Sequence, residues 1–168
     1  RYGTGVTCFS LTAAFIANLN ALGIEAHPIL GDRHYGTDTH CALVFSQDAD
    51  LFLLDPGYLI NRPIRLPTVN PVTFSTGFNT IELHPHDASH KVDLITILNN
   101  DRRYRLTYKI NPVDGPTFGR AWERSFAWEM MTYPVLTRYS NGIHHYLQGN
   151  MLRIRDNERA TKHVLSPD

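Results

Sequence analysis

One apolar helical segment followed by a long series of short strand-like runs is the feature that most constrains the fold. Between Phe9 and Leu22 nearly every residue is apolar or small, and Gly23 stands where a helix would end. A helix with so few polar positions is expected to be mostly buried. Strand-like runs then follow, without alternating strands and helices. This order predicts an α+β domain in which a buried N-terminal helix packs on an antiparallel β-sheet or barrel.

The predicted strands are separated by turn-forming residues. The runs 41–45 and 51–54 flank Gln-Asp-Ala-Asp and predict a hairpin. The prolines within 62–67 cannot donate to a sheet, which predicts an edge strand or a connection. The remaining expectations are strands at 24–30, 78–83, 92–98 and 104–110, a short helix at 120–131, a last hairpin at 142–154, and a frayed or locally helical end at 156–168.

Size and charge exclude several classes of function. The 168 residues fit a single catalytic region, made of the helix 8–22 and a β-rich part 24–155. Sixteen basic and 16 acidic residues give a formal net charge of zero, which argues against binding to nucleic acid. No apolar run reaches the roughly 18 residues of a membrane span. Two cysteines are too few for a disulfide framework and indicate a reducing compartment, so the sequence predicts a cytoplasmic protein.

Three residues at the edges of their predicted elements could form a catalytic triad. Cys8 begins the helix, His40 begins a strand, and Asp55, 15 residues later, ends the next strand. A helix N-terminus and a nearby imidazolium both lower the pKa of a thiol. A histidine can take the thiol proton, and a carboxylate can hold the histidine in the required tautomer. The hairpin between His40 and Asp55 would let both side chains face the start of the helix.

Each of these residues also has an ordinary structural interpretation. Cys8 could be core packing, His40 could cap a strand, and Asp55 begins the common turn sequence Asp-Pro-Gly. Only their joint placement favours catalysis. Cys41 lies within an apolar strand and is interpreted as structural.

Other polar and aromatic groups are interpreted as structural. His84, His86 and His90 lack a second ligand cluster at zinc spacing, so they predict a solvated loop, and no metal site is expected. His144 and His145 should face opposite sides of a strand. The basic run 102–105 predicts a solvated turn and strand start, with contact to the phosphates of a CoA-like donor as a second reading. The aromatic set is interpreted as core that could also wall an apolar acceptor pocket; it comprises Trp122, Phe126, Trp128, Tyr133 and Tyr139.

Three segments resemble the arylamine N-acetyltransferases. The stretch from Arg1 to Cys8, followed by Phe9, resembles the nucleophile segment of that family, in which Arg-Gly-Gly precedes the cysteine and Phe-Glu follows it. The run 40–44 is similar to the strand that opens with the catalytic histidine, and 53–58 is similar to the hydrophobic-Asp-x-Gly-aromatic segment. The resemblance is strong over residues 1–60 and looser in the β-rich region beyond them.

The resemblance implies a cysteine proteinase-like fold and ping-pong acyl transfer. Cys8 would attack an acyl thioester, normally acetyl-CoA, and an arylamine or hydrazine would then take the acyl group. His40 would carry the proton and Asp55 would orient it. A backbone amide, such as that of Cys8, would stabilise the oxyanion. The implied partners are acyl-CoA as co-substrate and a small-molecule amine, with no tightly bound cofactor.

The chain also departs from the family pattern. Ser10 stands where the family has an acid two positions after the nucleophile, and the segment before Cys8 is longer than usual. The upstream helical domain of the family is not in this sequence, so another chain is expected to supply such a segment. Residues 5–31 and Leu54-Asp55-Pro56 look equally like the transglutaminase-like core. A cysteine hydrolase or amide cross-linker acting on peptides therefore remains an alternative, as does a non-catalytic module that keeps the fold.

Overall fold

The computed structural model describes residues 7–156 and 159–166, so most of the Arg1-to-Cys8 segment lies outside the described residues. Helix α1 (Cys8–Ala21) begins after Thr7, whose hydroxyl accepts a hydrogen bond from the Ser10 amide at 3.4 Å. Gly23 follows the helix with φ of 81°. The prediction of a helix from 8 to 22 is confirmed to within one residue.

Helix α1 is less buried than the sequence predicts. Of its residues, only Phe9 and Thr12 are fully buried, and Leu22, just beyond the helix, is 78% exposed. The helix packs on the sheet with one side, while Ala14 and Ala17 lie on the exposed side. Apolar composition predicted a mostly buried helix, but the packing covers only one stripe of it.

Eight antiparallel strands form the larger sheet, in the spatial order β4-β3-β2-β1-β8-β7-β6-β5. The predicted hairpin is confirmed as β2 and β3, and the proline-containing segment is confirmed as the edge strand β4. The strands are β1 (Ala26–Arg33), β2 (Gly36–Gln47), β3 (Asp50–Asp55), β4 (Ile60–Arg65), β5 (Val72–Ser75), β6 (Thr80–His86), β7 (Lys91–Leu98) and β8 (Asp101–Lys109).

The larger sheet curls so that its two edges share one core. Ile64 of the edge strand β4 belongs to the same buried cluster as Ile81 of β6, and Phe74 of the other edge strand packs against it. An Arg62 Nη2 donates to the carbonyl of Ser75 at 3.2 Å, which joins the two edges directly. The observed architecture is therefore the predicted α+β fold, a helix on a curled antiparallel sheet.

A second sheet of four strands follows helix α2 (Gly115–Ser125), in the order β12-β11-β10-β9. Its strands are β9 (Val135–Ser140), β10 (Ile143–Gln148), β11 (Met151–Arg155) and β12 (Ala160–Val164). The hairpin predicted at 142–154 is confirmed as β10 and β11. The helix predicted at 120–131 instead spans Gly115–Ser125, because Asp114 caps it at an earlier start. The end of the predicted range, Glu129–Met131, forms a short 3₁₀ segment.

The prediction for the C-terminal stretch is also wrong. Residues 160–164 form β12, which pairs with β11, instead of fraying or forming a helix. The strand is exposed on both faces, so its sequence lacks the apolar alternation that marks a strand. Residues 157–158 and 167–168 of the same stretch lie outside the described residues.

The predicted histidine loop is partly a strand. His84 and His86 lie in β6, opposite Asp93 and Lys91 of β7. Pro85 is tolerated there because β5 pairs only with residues 80–83, so the other side of β6 is open at Pro85. Over the described ranges, no helix combines the length and apolar character needed to cross a bilayer.

Candidate active site

Cys8 is the first residue of α1, at the end of the helix where unpaired amides carry partial positive charge. Its side chain packs partly buried beside Phe9 and Cys41. Ser10, which stands where the family has an acid, donates from its hydroxyl to the Thr7 carbonyl at 3.0 Å. Ser10 thus serves the local geometry of the helix start.

His40 and Asp55 form a fully buried pair. His40 Nε2 lies 2.6 Å from Asp55 Oδ2, and both residues have no exposed surface. The β2–β3 hairpin brings them together: His40 lies in β2, and Asp55 ends β3. Because Nε2 is engaged by Asp55, the nitrogen left to face Cys8 is Nδ1. The structure therefore brings all three predicted site residues into one cluster.

Tyr108 is a fourth member of this cluster that the sequence did not indicate. Its hydroxyl donates to Asp55 Oδ2 at 2.5 Å, and its side chain is fully buried. The Tyr58 amide donates to the other carboxylate oxygen of Asp55 at 3.0 Å. Asp55 accordingly accepts three hydrogen bonds, which satisfies a charge that has no access to water.

The register of three strands explains how Tyr108 reaches the site. Gly31 of β1 pairs with His40 of β2 on one side and with Tyr108 of β8 on the other. A Cβ on Gly31 would lie 3.3 Å from Leu106 Cδ1 and 3.6 Å from His40 Cβ. The missing side chain leaves room between the two large residues, which both turn toward Asp55.

Gly57 marks the point where Cys8 and His40 converge. A Cβ at this position would lie 2.9 Å from His40 Cε1, 3.0 Å from Cys8 Cβ and 3.2 Å from Asp55 Oδ1. The first of these distances is shorter than real Cβ contacts and the other two are tighter than most of them, so glycine permits the close approach of the backbone here. The sequence marked Asp55-Pro56-Gly57 as a turn, but it did not reveal this packing role.

Arg33 is the second residue that the sequence missed. Its Nη2 lies 3.1 Å from His40 Nδ1, the nitrogen that faces Cys8. Its guanidinium carbon lies 5.7 Å from the centre of the Tyr58 ring, and its Nη1 donates to the Tyr35 hydroxyl. A guanidinium only donates hydrogen bonds, so this contact belongs to a neutral His40 with a lone pair on Nδ1. Protonation of Nδ1 requires Arg33 to release it.

Mutual contacts shift the pKa values of the cluster. For His40, burial alone would lower the pKa, but the charge and hydrogen bond of Asp55 outweigh it and raise the pKa to about 9. For Asp55, burial alone would raise the pKa, but the charge of His40 and the hydrogen bonds to the carboxylate hold it below its ordinary value. The pair is therefore suited to hold an imidazolium beside a carboxylate.

The two cysteine thiols are neighbours with opposite shifts. The pKa of Cys8 is lowered, chiefly by a hydrogen bond with the Cys41 thiol; burial opposes this, and His40 adds a hydrogen bond and its charge. The pKa of Cys41 is raised, mainly by burial in its apolar strand. Cys41 is fully buried, as expected, and its sulfur lies 3.5 Å from Thr12 Oγ1. Its effect on the pKa of Cys8 was not predicted.

A cleft between the two sheets opens beside this cluster. It consists of two adjoining cavities of about 340 and 870 Å³, and Arg33 and Tyr58 line both. Trp128 and Tyr133, from the aromatic set noted in the sequence, line the larger cavity. Trp122 instead packs near Phe9, and Phe126 is 61% exposed. Within residues 7–156 and 159–166, no group of three His, Cys, Asp or Glu side chains could hold a metal ion.

No protein-family model matches this sequence, and no curated protein sequence matches it significantly. Solved structures do match. The arylamine N-acetyltransferase from Mycobacterium abscessus has a TM-score of 0.82 at 19% identity, over 96% of this chain and 63% of that one. This chain has the arylamine N-acetyltransferase fold.

Two further structures support the same fold. The arylamine N-acetyltransferase from Nocardia farcinica has a TM-score of 0.78 at 21% identity, over 96% of this chain and 62% of that one. The enzyme from Mycobacterium marinum, solved in complex with CoA, has a TM-score of 0.79 at 15% identity, over 96% and 64%. The chain thus spans less than two thirds of the length of these arylamine N-acetyltransferases. The resemblance inferred from the sequence is confirmed at the level of the fold.

Proposed function

We propose that this protein is an acyltransferase that moves an acetyl or other acyl group from acyl-CoA, through a thioester on Cys8, to an arylamine or hydrazine. The observation that carries the proposal is the buried His40–Asp55 pair, 2.6 Å apart, placed beside a cysteine at a helix N-terminus. The arylamine N-acetyltransferase fold, and the CoA complex of one structural neighbour, support the acyl-CoA donor. In this proposal residues 8–155 act as one catalytic region.

In the first half-reaction, the Cys8 thiolate attacks the carbonyl carbon of the acyl thioester. A new carbon–sulfur bond forms to Cys8, and the bond to the CoA sulfur breaks. The imidazolium of His40 gives its Nδ1 proton to the departing CoA thiolate, which leaves as the thiol. His40 is then neutral, and Asp55 holds the remaining proton on Nε2.

In the second half-reaction, the amine nitrogen attacks the acyl-Cys8 carbonyl. Neutral His40 takes a proton from the attacking nitrogen through Nδ1, the carbon–nitrogen bond forms, and the bond to Cys8 breaks. Cys8 returns as a thiolate beside the imidazolium. Arg33 donates to Nδ1 only while His40 is neutral, so this contact fits the acyl-enzyme stage of the cycle.

Intact-mass analysis after incubation with acetyl-CoA, and separately with longer acyl-CoAs, tests the proposal. We expect a gain of one acyl group, located on the Cys8 peptide and removed by an arylamine. Cys8→Ala is expected to abolish the adduct. Cys41→Ala is expected to retain it at a reduced rate, since the Cys41 thiol lowers the pKa of Cys8 without lying at the helix start.

The same assay separates the alternatives. If no thioester acylates Cys8 but the protein cleaves or cross-links peptide amides, the transglutaminase-like alternative is correct. If Cys8 also reacts with an alkylating agent no faster than Cys41, the fold serves a non-catalytic role. An adduct that survives Cys8→Ala would rule out the thioester mechanism.

A further inference from the structure

Arg33 reaches His40 on the side of the imidazole that Asp55 leaves free. One of its terminal nitrogens, Nη2, lies 3.1 Å from His40 Nδ1. The other, Nη1, donates to the Tyr35 hydroxyl at 2.7 Å. The guanidinium carbon lies 5.9 Å from the centre of the Tyr35 ring and 5.7 Å from that of Tyr58, which is within cation–π distance of both. The guanidinium therefore has a defined place beside the imidazole.

Among the described residues, no carboxylate forms an ion pair with Arg33. A guanidinium keeps its charge across the pH range in which proteins are folded. The hydrogen-bond partners of Arg33 are a tyrosine hydroxyl and an imidazole nitrogen, and that nitrogen can accept only while it carries no proton. The charge of Arg33 is therefore not neutralised by an anion, and it opposes the protonation of His40 at Nδ1.

Five groups from different elements face the His40 ring. They are Cys8 of α1, Arg33 of β1, Asp55 of β3, Tyr58 of the 3₁₀ turn after β3, and Tyr108 of β8. The centres of the two tyrosine rings lie 5.2 and 6.2 Å from that of the imidazole, and burial raises the pKa of both hydroxyls. The tyrosines therefore stay uncharged, and the charge on His40 depends on one thiol, one carboxylate and one guanidinium.

Acylation of Cys8 removes one of these charges. In the resting protein, burial lowers the pKa of His40, but Asp55 and the hydrogen bond and charge of Cys8 raise it to about 9. A thioester is uncharged, so in the acyl-enzyme Asp55 still favours the imidazolium and Cys8 no longer does. A histidine whose pKa stayed near 9 would be neutral in only about one molecule in a hundred at pH 7. The second half-reaction needs the neutral form, because His40 must take a proton from the amine.

A second histidine in the same cleft shows what an arginine at Nδ1 does without a carboxylate. His144 Nδ1 lies 3.0 Å from a terminal nitrogen of Arg155, and its Nε2 lies 2.8 Å from a threonine hydroxyl. Burial and the charge of Arg155 lower the pKa of His144 to about 4. His40 has the same arrangement at Nδ1 but a carboxylate at Nε2. Arg33 thus opposes Asp55 at His40, whereas Arg155 acts unopposed at its own histidine.

We propose that Arg33 is a positioning residue for the second half-reaction, because its hydrogen bond to Nδ1 holds His40 in the neutral form that takes the proton of the amine. This inference rests on the proposed acyltransferase function and adds a residue to it. The carbon–nitrogen bond forms, the bond to Cys8 breaks, and the amine proton passes to Nδ1, which the guanidinium releases. The released cation stays near the sulfur, since Nδ1 faces Cys8, and it favours the departing thiolate.

Loss of the charge and loss of packing at Arg33 have different signatures. Without the cation, both the imidazolium and the neutral thiol are favoured, so the pKa of His40 and the pKa of Cys8 should both rise. A change that only disturbed the packing would separate Cys8 from His40. That separation would raise the pKa of the thiol and lower the pKa of the imidazole. The direction of the shift at His40 therefore distinguishes a role of the charge from a structural role.

The first measurement is a ¹⁵N NMR titration of the histidines in Cys8→Ala, which lacks the thiolate as the acyl-enzyme does. In this background Arg33→Met should raise the pKa of His40 by at least about one pH unit, which is a ten-fold change in the ratio of neutral to charged imidazole. Arg33→Lys keeps the charge and should shift the pKa by less than half as much. An unchanged or lowered pKa of His40 in Arg33→Met would overturn the proposal.

A milder variant keeps the test available if Arg33→Met does not fold. Tyr35→Phe removes the hydrogen bond that fixes Nη1 and keeps both the ring and the cation. Since Tyr35 is half-exposed, the substitution should be tolerated. It should raise the pKa of His40 in the same direction by a smaller amount. No rise in this variant would count against the proposal in the same way.

The second arginine–histidine pair provides a matched control in the same spectra. Arg155→Met removes an equal charge from the same cleft, but the imidazole it contacts is that of His144. We expect it to raise the pKa of His144 and to move the pKa of His40 by less than about 0.5 pH units. Arg33→Met should do the reverse. If both variants shift both histidines equally, the effect is one of general charge in the cleft, and the specific role of Arg33 is wrong.

Single-turnover kinetics test the step in the reaction. 4-Nitrophenyl acetate is an acyl donor without phosphates, and a neutral arylamine then removes the acetyl group from Cys8. At pH 7 Arg33→Met should slow deacylation at least about ten-fold and raise the pH of its half-maximal rate by at least about one unit. Acylation should change less than about three-fold, because the lowered pKa of Cys8 leaves it a thiolate at pH 7 even after such a rise. Equal slowing of both steps would indicate a structural role and overturn the proposal.

Failure of the two proposals would look different. If no acyl donor labels Cys8 but Arg33→Met raises the pKa of His40, the acyltransferase proposal fails and the effect of Arg33 on the imidazole stands. If Cys8 is acylated and deacylated but Arg33→Met changes neither the pKa of His40 nor the deacylation rate, the role of Arg33 alone is wrong.

Discussion

In the larger sheet His40 and Asp55 are fully buried, and each has the other as a partner of opposite charge. In the smaller sheet Arg153 and Arg155 are half-buried, and neither forms an ion pair within the described residues. Complete burial requires pairing, because an unpaired charge cannot be solvated there. Partial exposure permits a guanidinium without a carboxylate partner, because water can solvate the nitrogens that remain exposed.

The two sheets hold the charged side chains of one cleft in different ways. The larger sheet fixes the geometry of the His40–Asp55 pair through contacts that exclude water, and the hydroxyl of Tyr108 adds a further hydrogen bond to Asp55. The smaller sheet presents arginines to the same cleft without an ion pair among the described residues. Substitutions of the paired groups in the larger sheet should therefore lower the free energy of unfolding strongly, and substitutions of the arginines in the smaller sheet should change it little.

The largest effect is expected in the rates at which the two cysteine thiols are alkylated, Cys8 in α1 and Cys41 in β2. A thiol reacts as the thiolate, which forms as the pH rises through its pKa. Because the pKa of Cys8 is lowered and that of Cys41 is raised, we expect iodoacetamide at pH 6 to modify Cys8 at least about 100-fold faster. Peptide mass mapping measures both rates. In denaturant the rates should become equal; equal rates in the folded protein would contradict the assigned pKa shifts.

Removing Asp55 should cause the largest loss of stability. Asp55→Ala leaves His40 without its carboxylate and Tyr108 without an acceptor, both fully buried. We expect the free energy of unfolding to fall by about 3–5 kcal/mol, as for other buried pairs that lose one partner. Urea denaturation gives the value. A loss below about 1 kcal/mol would show that the pair is not as closed to water as its burial indicates.

Tyr108→Phe should have a smaller effect of the same kind. It removes one of three hydrogen bonds to the Asp55 carboxylate and keeps the buried ring. A hydrogen bond to a charged group contributes about 1.5–3 kcal/mol, which is the loss expected in urea denaturation. Tyr104→Phe, an exposed tyrosine on the same strand, serves as the matched control and should lose less than about 0.5 kcal/mol.

The smallest effect is expected from the smaller sheet. Arg153→Met removes a guanidinium whose Nε is buried without a partner and whose charge repels Arg105 and Arg155. The free energy of unfolding should stay within about 0.5 kcal/mol of the original or rise. Thermal or urea denaturation without ligand checks this. A loss comparable to that of Asp55→Ala would contradict the division between the two sheets.

Local patterns were enough to predict one half of the candidate site. Cys8 follows from the apolar helix, and His40 and Asp55 follow from a hairpin whose turn residues Asp48 and Ala49 adopt positive φ. One helix and one hairpin place these residues, and both elements can be predicted from the local pattern of apolar and turn-forming residues. The extent to which α1 is covered could not be read from its apolar composition, since composition does not say what packs against a helix.

The other half of the site depends on contacts between distant segments. Tyr108 is 53 residues from Asp55, and its place beside His40 depends on the pairing of β1 with β8. Arg153 and Arg155 reach the cleft only because the second sheet lies against the first. No local pattern encodes such pairings. The exposed strand β12 was missed for a different reason, because it buries nothing.

The row formed by His40, Gly31 and Tyr108 has a consequence for the order of folding. Joining β1 to β8 closes a loop of some 75 residues between Gly31 and Tyr108, whereas the β2–β3 hairpin closes at once. Long-range closure is slow because its entropy cost precedes its contacts. The hairpin should therefore form early, before the Tyr108 hydroxyl is in place to donate to Asp55. The site should be complete only when β8 pairs with β1. A refolding chain sampled by rapid alkylation is thus expected to gain the reactivity of Cys8 in its last kinetic phase.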